Sequence, residues 1–431
     1  MGKTLILSGL LFAATGLLAE PLPQPLTLPQ ALNLADAHHP SIQEARAREA
    51  GAGAMLLAEE SSDDLRILLE GRLQYLEPST LSSYQENNDS RLGLLVEKRL
   101  YDFGYTRAKQ ASARSSLEAA RWDGLSERQQ QRIRVLQAFL EVLLADLEYV
   151  RDNEALAIAY VRLNSLRNRH ELGKLSDIEL LENQSRYEKA LSRRAATEVK
   201  QRSMRLRLAL ALNRPEEIPS ELIPPLPPDM GVTLPAPEIL AEKALRNNAA
   251  LQSLRKHIAA AEQLLVAAQK RYGPVLRGEL GAYQYHRDTG STSPFRAALV
   301  LEMPLYNGGR ENAEAARARA ELMEYQALKR KLELALRQQV LELRLEQDVL
   351  RRKLDELQVR EEYRDLYLDR SRALYDLERT TDLGDAMVQI SAVKLEKAKL
   401  QYQWMINQMR IRMLTGELLQ DELLQQEEQE G

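Results

Sequence analysis

The sequence predicts a mainly α-helical chain interrupted by short membrane-type β segments, and three observations carry that prediction. Long stretches without proline are filled with strong helix formers: none lies between Pro78 and Pro215, and none after Pro304. Four Phe and two Trp among 431 residues are too few for one large globular core, whereas extended helices rich in Ala, Leu, Glu, Arg and Gln need few. Between the helices, four segments switch from a helical period to a strict two-residue alternation.

The chain divides into two copies of one pattern. A proline-rich linker spans 214–237 and separates a first repeat, 20–213, from a second, 238–416. Leu100-Tyr101-Asp102-Phe103-Gly104 reappears as Leu305-Tyr306-Asn307-Gly308-Gly309, 205 positions later. Ser185 to Ala190 reappears as Val393 to Ala398 at a spacing of 208. Offsets this constant over the whole length indicate duplication of one structural unit.

Within the first copy, Ile133, Leu136, Leu140, Leu143, Leu147 and Val150 follow the 3,4 spacing of a coiled-coil seam. In the second copy, Leu336, Val340, Leu343, Leu350, Leu354 and Leu357 keep that register, with Gln347 interrupting. A helix from about Arg107 to Glu171 is about 100 Å long, too long for a compact domain. The alternating segments fall at about 64–77 and 90–101 in the first copy and about 274–287 and 294–305 in the second. Leu65, Ile67, Leu69, Gly71, Leu73 and Tyr75 form one apolar face, as do Leu92, Leu94, Val96 and Leu100 with Lys98 among them. Leu299, Leu301, Met303 and Leu305 continue from Phe295 and Ala297, and Gly278, Leu280 and Ala282 give a thinner face. Each segment has about the length that a tilted transmembrane strand requires. Tyr75, Tyr101, Tyr283, Tyr285, Phe295 and Tyr306 lie towards segment ends and read as an aromatic girdle. Four strands cannot close a barrel of useful bore, and open edges in lipid leave backbone groups unsatisfied, so membrane strands here demand oligomerisation. Three copies supply twelve strands. The competing reading is a soluble coiled-coil scaffold whose hairpins pack on its own helices.

Composition narrows the function classes. A net charge of −4, from 59 basic and 63 acidic residues, gives no electrostatic case for nucleic acid. The absence of Cys removes thiol catalysis, disulfides and a lipid-modified N-terminal Cys. Residues 1–19 read as a signal peptide, with Lys3 before the apolar Leu5 to Leu18. Residues 417–431 read as an acidic tail. His38, His39, His170, His257 and His286 lack metal-ligand spacing, and Met405, Met409 and Met413 read as packing. No catalytic site, metal site or cofactor is expected. At the strand-to-helix junctions, Asp102 and Asn307 are candidate caps, while Gly104, Gly308 and Gly309 supply positions that tolerate positive φ.

The opening Leu26-Thr27-Leu28-Pro29-Gln30-Ala31-Leu32, the junction Met303 to Arg310, and Leu400 to Gly416 with Ile406-Asn407-Gln408 and Leu414-Thr415-Gly416 resemble the outer-membrane efflux protein family, of which TolC is the familiar member. The resemblance covers Leu26 to about Gly416. It implies a homotrimer in the cell outer membrane, with a twelve-stranded barrel and a tunnel of long coiled-coil helices in the periplasm. It also implies a passive efflux duct that meets a periplasmic adaptor protein and an inner-membrane transporter. Type I protein secretion uses the same architecture. At the periplasmic tip, the resemblance places Glu179, Asp382 and Asp385 on positions where the family commonly carries Asp. Tyr375 and Arg379 resemble the family's Tyr and Arg contacts, one residue out of register, with Asp376 where a Gly is usual. Asp382 and Asp385 share a helix face, so a threefold axis makes rings of carboxylates there.

Overall fold

The computed structural model describes residues 21–418 except 82, 84, 233, 287–291 and 378–382, and the backbone alone of 35–38. Both termini of the sequence reading, the signal peptide and most of the acidic tail, lie outside the described residues. The first repeat comprises α1 (Leu28–His38), α2 (Pro40–Ser61), β1 (Arg66–Arg72), β2 (Arg91–Tyr101), α3 (Tyr105–Glu171) and α4 (Asp177–Ala211). The second comprises α5 (Pro237–Asn247), α6 (Ala249–Lys270), β3 (Val275–Tyr285), β4 (Phe295–Glu302), α7 (Arg310–Asp376) and α8 (Leu383–Leu414). The helices α3 and α7 are each 67 residues long and begin 205 positions apart, the offset of the sequence repeat.

Local chemistry sets the boundaries. Thr27 and Gln30 form a capping box at the start of α1, with a proline in its first turn where a missing N–H costs nothing. The α1–α2 break falls at His39, whose imidazole nitrogen accepts the Ser41 N–H at 3.2 Å. In the second repeat Asn248 occupies the equivalent break and accepts the Leu251 N–H at 3.1 Å. The strands are shorter than their alternation suggested. β1 stops at Arg72, with an isolated bridge from Tyr75 to Asn88 beyond it. β4 stops at Glu302, because Pro304 has no N–H to continue the ladder.

Each repeat is a helical hairpin hung from a β-hairpin, and all four strands form one antiparallel sheet in the order β1-β2-β3-β4. The main core lies about halfway down α3, where Val135, Leu136, Phe139, Leu140 and Val142 pack against Leu208, Leu212, Tyr402 and the N-terminal Leu22 and Leu26. Leu26 is zipped to the proline-rich linker by Leu26 N–H to Glu221 O (2.9 Å) and Ile223 N–H to Leu26 O (3.0 Å). A second cluster joins Leu240, Ala244 and Leu251 to Leu336, Val340, Ile411 and Leu414. Gly416, at φ +74°, lets the end of α8 turn beneath the α5–α6 break: a Cβ there would sit 2.6 Å from Asn247 Cβ. The seam prediction for α3 needs one correction. Val150 is exposed, while Glu148 and Asp152 are buried, because α3 packs on α4 and α8 together and its buried arc rotates beyond a two-helix seam.

Candidate functional site

The sheet separates chemistry by face. Register places Ile67 opposite Val96, Leu69 opposite Leu94, Val96 opposite Leu280, and Gly278 opposite Leu299, so one side is apolar across all four strands, although Leu68, Leu95 and Val300 fall on the other. That side is uncovered: Leu69 and Leu299 are 74% and 73% exposed. The other side carries Glu70, Arg91, Glu97, Arg277, Glu279 and Glu302, tied by Arg91–Glu70 at 2.9 Å, Arg296–Glu279 at 3.3 Å and an Arg277–Glu302 pair. At about 3.3 Å per residue, the 11-residue β2 and β3 reach across a bilayer core when tilted. Among the described residues, the outer edges of β1 and β4 have no strand partner. Among the described residues, no helix is long and apolar enough to cross a membrane.

The girdle expectation is corrected for two residues. Tyr283 pairs with Gly93 and Tyr285 with Arg91, which puts both rings on the charged side, not with Phe295 on the apolar one. Their odd numbering against Gly278, Leu280 and Ala282 is the physical reason. A bulge between Arg99 and Tyr101 returns Tyr101 to the apolar side opposite Leu276.

At the first junction, Phe103 and Gly104 both have positive φ, +55° and +92°. Asp102 is 8% exposed and accepts the Gly104 N–H at 3.1 Å and the Thr106 N–H at 2.9 Å, beside a bond from the Thr106 hydroxyl. At the second junction, Gly308 and Gly309 take the same two positions at +62° and +81°. There Asn307 is exposed and α7 has no side-chain cap.

At the far end of the helices, α3 turns at Gly173 (φ +68°) into α4. Glu179 closes a capping box, its carboxylate accepting the Ser176 N–H at 3.3 Å and hydroxyl at 3.1 Å. Tyr375 stands exposed at the end of α7. Arg379 and Asp382 lie outside the described residues. Asp385, in the first turn of α8, pairs with Arg162 of α3 at 3.1 Å, joining the two repeats. Sequence reasoning did not find Arg162. The approach depends on Gly384, where a Cβ would stand 2.9 Å from Ile158 Cγ2. A cleft of about 290 Å³ opens beside it, lined by Ile158, Arg162, Asn183, Arg186, Asp385 and Val388.

Long paired helices under an amphipathic four-stranded sheet are the fold of solved outer-membrane channels. Three solved structures illustrate it. The Campylobacter jejuni CmeC outer membrane channel superposes with a TM-score of 0.75 at 14% identity, over 90% of this chain and 85% of its own. A membrane protein from Pseudomonas aeruginosa gives 0.75 at 18%, over 90% and 93%. The outer membrane protein VceC from Vibrio cholerae gives 0.72 at 17%, over 90% and 96%. No curated protein sequence matches the chain. Residues 240–417 match the family described as Outer membrane efflux protein, which is the second repeat almost end to end. The family model thus bears out the resemblance over the second repeat, and the fold extends the likeness to the first.

Proposed function

We propose that three copies of this chain close a twelve-stranded barrel in the outer membrane, continuous with a helical tunnel in the periplasm, and that the assembly passively conducts substrates to the exterior. The observation that carries this reading is the sheet, with one face apolar and uncovered, the other charged, and both outer edges unpaired. In lipid those edges need strands from other copies. The helices support the same closure, since Leu334, Leu341, Leu345 and Val349 on α7 form an apolar stripe that the chain's own helices leave exposed. Energy for transport comes from an inner-membrane transporter, joined through a periplasmic adaptor to the helical tip. The tip residues Asp385, Asp382, Glu179, Tyr375 and Arg379 are the gate candidates, and Arg162 joins them as the partner of Asp385.

The test is separation of inner and outer membranes on a density gradient, with unheated gels of each fraction. Outer-membrane enrichment of a trimer is expected. A soluble periplasmic pool would replace the duct with the scaffold. Once the channel is established, Asp382→Ala with Asp385→Ala is expected to raise single-channel conductance, and unchanged conductance and cation selectivity would remove both residues from the gate.

A further inference from the structure

Gly93 on β2 and Gly281 on β3 are diagonal neighbours on the charged face of the sheet, Gly93 opposite Tyr283 itself and Gly281 opposite Leu95. Glycine inside a strand lowers strand stability and supplies no side chain, so it marks a place where another group approaches the backbone closely. Here the group is identifiable. A Cβ built on Gly93 would lie 2.2 Å from Tyr283 Cδ1 and 2.6 Å from Cε1. A Cβ built on Gly281 would lie 2.4 Å from Tyr283 Cε2 and 3.0 Å from its hydroxyl. Because Cβ atoms leave a strand along the sheet normal, a ring crowding both positions must lie down across both backbones. Above it, the Arg91 guanidinium sits 5.5 Å from the ring centroid, held by Glu70 Oε1 at 2.9 Å. Tyr285 abuts it with ring centroids 6.0 Å apart. The ring is thus enclosed between two bare backbones below and a paired cation above, a geometry in which arginine and an aromatic face attract.

We infer that Tyr283 sets the bore at the outer mouth of the channel, and that Gly93 and Gly281 keep the mouth wide by letting its ring lie flat. This rests on the barrel reading above, in which the charged face lines the lumen. Threefold symmetry then sets three Tyr283–Arg91–Glu70 stacks around one opening. A side chain at either glycine has a single inexpensive response. The sheet ladder is fixed by paired backbone bonds, whereas the Tyr283 side chain can rotate, so the ring lifts away from the sheet. Arg91 and Glu70 are carried inward with it, and all three stacks move at once because the copies are identical. The bore at this level is therefore set by the smallness of residues 93 and 281, through Tyr283, and cargo size is screened there as it leaves.

The experiment uses the full-length channel in planar bilayers. The size of poly(ethylene glycol) that can enter from the exterior side is read from its depression of conductance, a readout of the mouth even where the tip is the narrowest point. Gly93→Ala is expected to exclude polymers that the natural protein admits. Tyr283→Ala is expected to admit larger ones, and Gly93→Ala in the Tyr283→Ala background is expected to have no further effect, since no ring remains to lift. An unchanged cutoff in Gly93→Ala overturns the inference, as does an equal shift with and without the tyrosine. Where Gly93→Ala does not assemble, Gly281→Ala and Tyr283→Ala carry the same test, and an unchanged cutoff in both is equally fatal. If the natural protein forms no channel, it is the barrel reading that fails.

Discussion

The two strand-to-helix junctions face one geometric demand and meet it with different chemistry. In each, two consecutive residues with positive φ turn the strand into a 67-residue helix. The first uses Phe103, whose side chain is exposed, and Gly104, and braces the turn from beneath: Asp102 is buried, bonds two backbone N–H groups, and receives Arg99 at 3.5 Å. Phe103, a bulky residue in a region that disfavours it, is held by an edge-on contact with Tyr101 at 4.7 Å. The second uses two glycines and no side-chain support. The difference follows from position in the sheet. β2 lies between β1 and β3, so its own chain supplies walls around the turn, while β4 is an edge whose neighbour in a closed barrel is another copy. An interior junction can hold a strained residue with contacts. An edge junction has to be unstrained by itself, and glycine makes it so.

That contrast can be broken at each junction. Asp102→Ala leaves the Gly104 and Thr106 N–H groups without their acceptor inside a covered site, and is expected to cost about 2 kcal/mol or more. Asn307→Ala at the equivalent place is expected to change stability by less than about 0.5 kcal/mol. Thermal dissociation of the assembled protein measures both, and equal losses would show that the two junctions do not differ as described. Next in size is Gly308. Nothing lies within 4 Å of a Cβ built there, so any cost of substitution is backbone strain alone. Gly308→Val is expected to cost about 1–2 kcal/mol and to reduce assembled trimer, whereas Gly308→Asn, which tolerates positive φ, should retain it. Undiminished trimer with Val would sink the assignment of a special backbone geometry.

The same asymmetry recurs halfway to the tip. Glu148 of α3 is buried and bonded to Lys200 of α4 and to Lys399 of α8, the latter at 3.0 Å, so one carboxylate ties three helices. The residue 205 positions on is the exposed Lys353 of α7. Burial alone would raise the Glu148 pKa, but the two ammonium groups outweigh it and hold the carboxyl below its usual 4.5. A lowered folded pKa contributes stability that is complete above the unfolded value and is lost as pH falls through the folded one. The natural protein should therefore lose thermal stability below about pH 4.5. Glu148→Gln should already be less stable at neutral pH and show a shallower acid limb. Parallel acid limbs in the two proteins would remove Glu148 from the pH response.

Much of this was legible in the residues, for reasons that can be named. The 205-residue offset, the proline-free stretches and the period-two segments are properties of order along the chain, and they located the long helices and the four strands. The side occupied by Tyr283 and Tyr285 was also written in the sequence, as odd numbers against the even Gly278, Leu280 and Ala282, yet grouping aromatics by nearness to segment ends hid it. Phe103 at φ +55° was not legible, since nothing local favours a bulky residue there; what braces the turn is the Asp102 carboxylate and the ring of Tyr101. Arg162 was beyond reach for a different reason. Its partner Asp385 is 223 positions away and packs on it only because Gly384 admits Ile158, a coincidence of two helices that neither segment encodes by itself.

That contact gives the smallest expected effect and the sharpest test of how the repeats cooperate at the tip. Arg162 and Asp385 are 43% and 52% exposed, so solvent screens their attraction and the pair contributes at most about 1 kcal/mol. Stability is accordingly the wrong place to look for it. If the pair holds α8 against α3, Arg162→Ala and Asp385→Ala should loosen the same contact and raise single-channel conductance by similar amounts. The double variant should then add little to either single one, because the second substitution removes a partner already lost. Additive increases would mean that the two residues act separately, Asp385 through the charge it lends to the opening and Arg162 elsewhere on the helix. Gly384→Ala supplies an independent route to the same end. A methyl 2.9 Å from Ile158 pushes the helices apart without touching either charge, and it should reproduce the conductance of the Arg162 variant if helix approach, not charge, closes the tip.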